Sequence, residues 1–326
     1  MSVRVVAPCR LHFGLFHVPV DGLTHYPDGR PVRKFGGLGL MIEQPNVTVT
    51  ARRSKRDTVS GPLFDRAVQF TDQLRQRNVQ FAPHEFHASG PPEHVGLGIG
   101  TALGLTLASV MVPTYWFGRR LDGTVYLAGL VRRGRRSGIG IHGFREGGFI
   151  ADDGKVANHE QPQPGSRTHF PDDWRVVLVR PPVQPIWHGD REHAVFGRPR
   201  PADRALALTD RLRSLANDTV VPAVRDASFD TFAASIQEFN RLAGEPFHDD
   251  QGGPYAGAEV ACVIDELIEM GAVGVGQSSW GPTVFAFCRD ADEAERLAAR
   301  ARARFSSATE VTVTAANNTG ARIETV

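Results

Sequence analysis

Hydrophobic positions near the start of the chain come in short runs broken by polar residues. Runs at 4–7 and 11–16, and the alternating Val47-Thr48-Val49-Thr50, predict strands. Gly61-Pro62 then opens a helix, with Phe64, Ala67, Val68 and Leu74 near helical spacing. A strand at 85–88 leads through Gly90-Pro91-Pro92 into a glycine loop and an apolar helix over 101–112. Another helix is predicted at 125–132, and a hairpin from 139–144 to 148–151. The stretch 152–173 is rich in Pro, Gly, Asp and Gln and reads as a connector. Beyond it the pattern predicts a buried strand at 174–179 and helices at 202–215, 229–242 and 255–270. A small-residue loop over 271–282, strand 283–288, helix 291–305 and strands 310–314 and 321–325 complete the chain. Strands and helices mixed in this order indicate an α+β protein, in two units spanning 1–165 and 166–326.

Between Val95 and Gly118 no residue is charged, which raises the question of a membrane span. The dense apolar part covers only 101–112, so a buried core helix is expected instead. The 326 residues carry 37 Lys+Arg against 36 Asp+Glu, a balance that speaks against a nucleic-acid-coating protein. A chain of this length with 41 % hydrophobic residues can build its core without metal or disulfide staples. Three scattered cysteines, Cys9, Cys262 and Cys288, fit a reducing compartment. The first residues lack the apolar stretch of a signal peptide, and a cytoplasmic location is expected.

Three segments carry candidate chemistry. In Pro92-Glu93-His94-Val95-Gly96-Leu97-Gly98-Ile99-Gly100-Thr101 alternate glycines open an apolar helix. Their amides, at the positive end of the helix dipole, suit a phosphate or diphosphate; a tight turn with close helix packing is the alternative. The loop lacks the Lys-Ser/Thr of a Walker motif and the spacing and later acidic residue of a dinucleotide fingerprint. Next, Arg132-Arg133-Gly134-Arg135-Arg136-Ser137-Gly138 places four arginines in five positions. Guanidinium forks bind phosphates and carboxylates, and a bound anion would relieve their mutual repulsion; a solvated basic turn is the alternative. Finally, Gln277, Ser278, Ser279 and Trp280 bring neutral donors and a flat apolar surface to a loop that can shape a pocket. Arg10 and His12 share one face of the first strand, and His12 is a candidate acid or base. His248, Asp249 and Asp250 read as solvated loop residues, and no transition-metal ligand pattern occurs.

In this order and spacing the segments resemble the GHMP kinase superfamily, and more closely its β-ribofuranosylaminobenzene 5′-phosphate synthase branch. The resemblance rests on residues 10–16, 92–101, 134–149 (GRRSGIGIHGFREGGF), 251–253 and 276–283 (GQSSWGPT), spread over nearly the whole chain. It implies a ribosomal-protein-S5-like N-terminal domain and a ferredoxin-like C-terminal domain. The implied reaction joins phosphoribosyl pyrophosphate to 4-hydroxy- or 4-aminobenzoate, releasing CO2 and pyrophosphate, in methanopterin biosynthesis. On that reading His12, Arg136 and His142 are catalytic candidates. Arg10, Lys34, Gly96, Gly98, Gly100, Thr101, Arg133, Arg135, Ser137, Gly138, Gln277, Ser278, Ser279 and Trp280 would bind substrate, with Phe13 or Trp280 walling the ring. Magnesium is the implied cofactor, with Thr101 or Glu93 as its candidate ligand, and a homodimer the implied assembly. The superfamily's kinases carry a serine where this chain has Ile99, which cannot ligate. A small-molecule kinase is the alternative function; an RNA-binding module, suggested by the arginines, is at odds with the balanced charge.

Overall fold

The computed structural model describes residues 2–16, 20, 23–26, 28–77, 81–112, 121–156, 165–184, 194, 195, 198 and 201–325. Its first sheet is built on two long strands. β1 (Ser2–Leu15) and β3 (Gly37–Arg53) run antiparallel; β1 merges two runs that the sequence pattern separates, and β3 extends well beyond the single run 47–50. β5 (His84–Ser89) and β4 (Thr58–Ser60) extend the sheet beyond β3. β6 (Phe149–Asp152) also pairs with β3 and carries β8 (Ser166–Thr168). The last strand, β13 (Arg322–Thr325), returns to pair with β1. A separate two-stranded ribbon joins β2 (Arg33–Lys34) to β7 (Lys155–Val156), so part of the expected connector is ordered; 157–164 lie outside the described residues.

The second sheet has the order β10 (Val273–Gln277), β11 (Val284–Cys288), β9 (Arg175–Arg180), β12 (Glu310–Ala315) and is antiparallel throughout. Strands buried on both faces divide their side chains by parity. Val177 and Val179 of β9 and Val284, Ala286 and Cys288 of β11 pack beneath two helices, Ala258–Glu269 and Ala291–Arg304. Val176, Leu178, Phe285 and Phe287 face the other way, into the core shared with the first sheet. There Phe13 meets Phe285 at 5.0 Å and Phe232 meets Phe287 at 4.8 Å between ring centroids. One apolar core therefore ties both sheets together, with the site at their junction.

The helices are α1 (Phe64–Gln76), α2 (Ile99–Met111), α3 (Leu121–Leu130), α4 (Ile139–Glu146), α5 (Ala202–Ser214), α6 (Phe229–Gly244), α7 (Ala258–Glu269) and α8 (Ala291–Arg304), with shorter helical pieces at 215–225 and 245–251. α2 is buried on all sides, which accounts for its lack of charge, and no helix among the described residues is long and apolar enough to cross a membrane. Two sequence expectations are corrected. Residues 139–144 form α4 rather than a hairpin strand: Gly-Ile-Gly-Ile alternates like a strand, but every residue from Ile139 to Phe144 is buried, so periodicity carries no information there. The expected loop 271–282 begins as β10, leaving only 278–283 as the connection.

Candidate active site

Two irregularities interrupt the pairing of β1 with β3: between Pro8 and Cys9 the extra residues 43–45 lie in β3, and between His12 and Gly14 the extra residue, Phe13, lies in β1. Bulges re-aim neighbouring side chains, and here Arg10 and His12 both line a cavity of about 430 Å³. The rest of the lining includes Thr101 at the start of α2, the segment 132–137, Asn240, Phe247, Tyr255, Gln277, Ser279 and Trp280.

The lining divides by chemistry. Its cationic part centres on the first turn of α2. Gly98 caps that helix in the left-handed region, with φ of 70°, and no acidic residue stands in the first turn. A Cβ on Gly98 would lie 2.7 Å from Arg10 Cγ, and one on Gly100 would lie 2.5 Å from Arg133 Nη2. Both guanidinium arms therefore lie directly against the helix start. Thr101 donates its amide to the Gly98 carbonyl, while the first-turn amides of Ile99 and Gly100 have no intrahelical acceptor. Arg133 also lies over the Phe70 ring, 5.3 Å from its centroid. Burial, with Arg66, Arg10 and Arg136 nearby, brings its pKa down to about 10, so it is still cationic at neutral pH. His12 is 6 % exposed. Burial, then the charges of Arg10 and Arg136, hold its pKa down to about 3, so its imidazole is neutral.

The aromatic part comes from Trp280 and Phe247, edge to face at 4.8 Å, together with Tyr255. Phe13 contributes backbone only: its ring is fully buried against Phe149 and Phe285, so it is no wall for a ligand.

Several expected binding residues make bonds within the frame. Ser278 accepts from the His12 amide at 3.0 Å and donates to the Gly96 carbonyl at 2.8 Å. Thr283 Oγ1 donates to the Val95 carbonyl, and the Ser279 amide to the His12 carbonyl. These bonds lace β1, the glycine loop and the loop 278–283 together. A Cβ on Gly96 would sit 2.2 Å from the Ser278 carbonyl, and one on Gly281 would sit 2.0 Å from the Gly96 nitrogen, so glycine at 96 permits contact between two backbones. Gly138 donates its amide to Asp152 at 2.6 Å, and the Ser137 hydroxyl points to the same carboxylate at 3.4 Å. His142 is buried on α4, off the cavity; burial raises the pKa of nearby Asp152 above the ordinary carboxylate value, against the amides of Gly154 and Gly138 and the charge of His142, which lower it. Lys34 pairs with Lys155 in the β2–β7 ribbon, also off the cavity.

Sequence reasoning missed Asp152, Lys155, Asn240, Phe247 and Tyr255. Asn240 had a signal: it interrupts the apolar face of α6, and its amide donates to the carbonyls of Phe13 and Gln277 while its oxygen accepts from the Gln277 amide. Asp152 and Lys155 had none, since Asp-Asp-Gly-Lys reads as an ordinary turn.

The donor set does not fit a protein-held magnesium ion. Among the described residues no carboxylate lines the cavity, Glu93 is paired with Arg66 at 3.2 Å, and Thr101 offers a single hydroxyl. No group of three His, Cys, Asp or Glu residues able to hold a metal occurs among the described residues.

Residues 220–307 match the family described as GHMP kinases C terminal. The β-ribofuranosylphenol 5′-phosphate synthase of Methanothermobacter thermautotrophicus is 27 % identical, the match covering 98 % of this chain and 98 % of that protein. The enzyme of the same name from Methanocaldococcus jannaschii is 25 % identical over 98 % of this chain and 99 % of its own length. Among solved structures, homoserine kinase from Cytophaga hutchinsonii superposes with a TM-score of 0.63 at 15 % identity, covering 99 % of this chain and 97 % of that one. Mevalonate diphosphate decarboxylase from Staphylococcus aureus does so with 0.64 at 13 %, covering 99 % and 98 %. These two share the fold. The sequence matches run over nearly the full length of the chain, residues 220–307 match the GHMP kinase C-terminal family, and the two-sheet fold is GHMP-kinase-like: the chain is similar throughout to the β-ribofuranosylphenol 5′-phosphate synthases.

Proposed function

We propose that the protein transfers the phosphoribosyl group of phosphoribosyl pyrophosphate to 4-hydroxybenzoate or 4-aminobenzoate, with loss of CO2 and pyrophosphate. The observation that carries this reading is the pairing, in one cavity, of an arginine-covered helix start with an aromatic wall. The first suits a diphosphate and a sugar phosphate; the second suits a benzene ring.

Breaking the bond from the sugar C1 to the diphosphate leaves an oxocarbenium-like sugar. Charge then develops on the departing oxygens, and stabilising it is the main requirement. Arg10, Arg133 and Arg136 and the first-turn amides of α2 meet that requirement, already positioned and partly shielded from water. The ring carbon bearing the carboxylate bonds to C1, and the carbon–carboxylate electrons return to the ring as CO2 leaves. No proton has to be lost from the attacked carbon. Neutral His12, beside Arg10 and Arg136, accepts a hydrogen bond from the para substituent and so increases electron donation into the ring. Trp280 and Phe247 hold the ring in line and keep water from the activated sugar. In this reading any magnesium enters on the oxygens of the substrate, and two chains associate as a homodimer, which light scattering checks.

Incubation with phosphoribosyl pyrophosphate and carboxyl-labelled 4-hydroxybenzoate or 4-aminobenzoate is expected to release labelled CO2. No labelled CO2 from either acceptor would sink the proposal. The kinase alternative needs ATP phosphates on α2; Ile99 in place of serine and the two arginines over Gly98 and Gly100 weigh against it. Saturable ATP binding and turnover without decarboxylation would restore it.

A further inference from the structure

Two buried ionisable side chains that do not reach the cavity hold the backbone behind it, Lys155 within the arginine segment 132–136 and Asp152 just after it. Asp152 is fully buried at the end of β6. Its Oδ2 accepts from the Gly138 amide at 2.6 Å, and its Oδ1 from the Gly154 amide at 2.9 Å. Lys155 is 6 % exposed, and its Nζ donates to the Gly134 carbonyl at 2.8 Å and to the Arg135 carbonyl.

The sheet itself fixes these two side chains. Asp152 is paired with Gly37 in β3, and Lys155 with Lys34 in β2. The turn between them is locked by Gly154, at φ of 79°, where a Cβ would lie 2.5 Å from the Lys34 carbonyl; Arg33 Nη1 bonds the Gly154 carbonyl at 3.2 Å.

Burying an ammonium against carbonyls is costly, and here it adds positive charge to a region already rich in it. What it does supply is backbone geometry: four mutually repelling arginines in five positions have no order of their own, and the two carbonyls gripped by Lys155 belong to the middle of that run.

We propose that Lys155, together with Asp152, is a positioning residue that sets the backbone of segment 132–136 in the shape that closes Arg133 and Arg136 on a diphosphate. This rests on the phosphate reading of the cavity.

The test is calorimetric titration of inorganic diphosphate into wild type, Lys155→Met and Lys155→Gln, with Tm recorded for each. Met keeps the length and loses both the donors and the charge; Gln loses the charge but keeps an N–H donor. Lys155→Met is expected to bind diphosphate about tenfold or more weakly, with Lys155→Gln recovering a clear part of that loss. In turnover, KM for phosphoribosyl pyrophosphate rises while KM for the benzoate stays unchanged. Unchanged diphosphate affinity in Lys155→Met overturns the proposal. Equal losses in both variants make charge rather than grip the cause, and failure of both to fold makes Lys155 a residue of the fold alone; either overturns it as well. Wild type that binds no diphosphate removes the phosphate reading itself, and this inference with it.

Discussion

Two helices in this molecule open on nearly the same letters, Gly98-Ile99-Gly100-Thr101 for α2 and Gly138-Ile139-Gly140-Ile141 for α4. Their ends lie side by side: a Cβ on Gly140 would be 3.2 Å from both Arg10 Nη1 and Thr101 Cγ2. They meet opposite fates. Asp152 accepts the Gly138 amide and the Ser137 hydroxyl accepts the Ile139 amide, so the start of α4 is closed by the protein itself. Among the described residues no carboxylate accepts the first amides of α2; Glu93, near Arg133, is paired with Arg66, and Arg10 and Arg133 lie against the helix start, where like-charged groups at the positive end of a dipole call for an anion from outside. A glycine-rich helix start is thus only half of a phosphate site. What faces it decides whether it is a cap or a receptor.

Removing the cation that makes the difference breaks the comparison most directly. Arg133→Gln keeps an amide donor on a shorter side chain but loses the charge and the fork, so kcat/KM for phosphoribosyl pyrophosphate is expected to fall about 100-fold or more, equivalent to ~3 kcal/mol. Steady-state kinetics at fixed benzoate measure it. A fall of less than about threefold would mean that α2 is not the receptor.

Gly100→Ala asks the same question without touching an arginine. Gly100 has ordinary helical geometry, and the new methyl would meet only the end of a flexible side chain, Arg133 Nη2. Alanine is the better helix former by about 1 kcal/mol, so Tm is expected to hold or rise. Diphosphate affinity is expected to drop about tenfold as Arg133 is pushed aside. A falling Tm with unchanged affinity would assign the glycine to packing.

The two helix starts also show what the sequence made legible. The glycine loop, the arginine run and GQSSWGPT stood out because each concentrates residues with special backbone or charge properties, and the structure gathers all three around one cavity. The α+β architecture could be read from strands and helices whose faces differ in burial. What stayed hidden were relations between distant positions. Asp152 is fourteen residues from the amide it closes, and Ser278 is 182 from the carbonyl it holds. Neither spacing leaves a periodic trace. For the same reason the framework bonds of Ser137, Gly138 and Ser278 could not be read from the sequence: donors at a loop surface resemble free donors until their acceptors are in view. α4 itself was mistaken for a strand because burial on every side erases the helical stripe.

His12 reports on the α2 side through pH. In the folded protein burial and then Arg10 and Arg136 depress its pKa to about 3, against an ordinary value near 6.5. As pH falls below 6.5 the unfolded chain takes up a proton that the folded chain refuses. The stability that His12 contributes is therefore complete above pH 6.5 and is lost on acidification toward 3. The slope approaches about 1.4 kcal/mol per pH unit. Urea melts of wild type and His12→Gln at pH 7, 6 and 5 should diverge in this sense, wild type losing more. Saturating diphosphate, which offsets the two arginines, should reduce the divergence; parallel curves with and without it would separate His12 from the anion site.

The smallest effect is expected from the mirror of the second experiment, Gly140→Ala. Here the methyl would approach Arg10 Nη1 and Thr101 Cγ2 at 3.2 Å, a crowding that a few tenths of an ångström relieve. The Gly138 and Ile139 amides of this turn are already held by Asp152 and Ser137, which leaves less here for a ligand to bind. Diphosphate affinity should change by less than about threefold, and gained helix propensity should offset the crowding in Tm. The two alanines form a matched pair: one methyl each, one turn into helices with the same opening letters, differing only in what stands across from them. A large loss at Gly140 together with a small one at Gly100 would invert the assignment and make α4 the anion receptor. A large loss at Gly100 alone is what an open helix start beside a closed one requires.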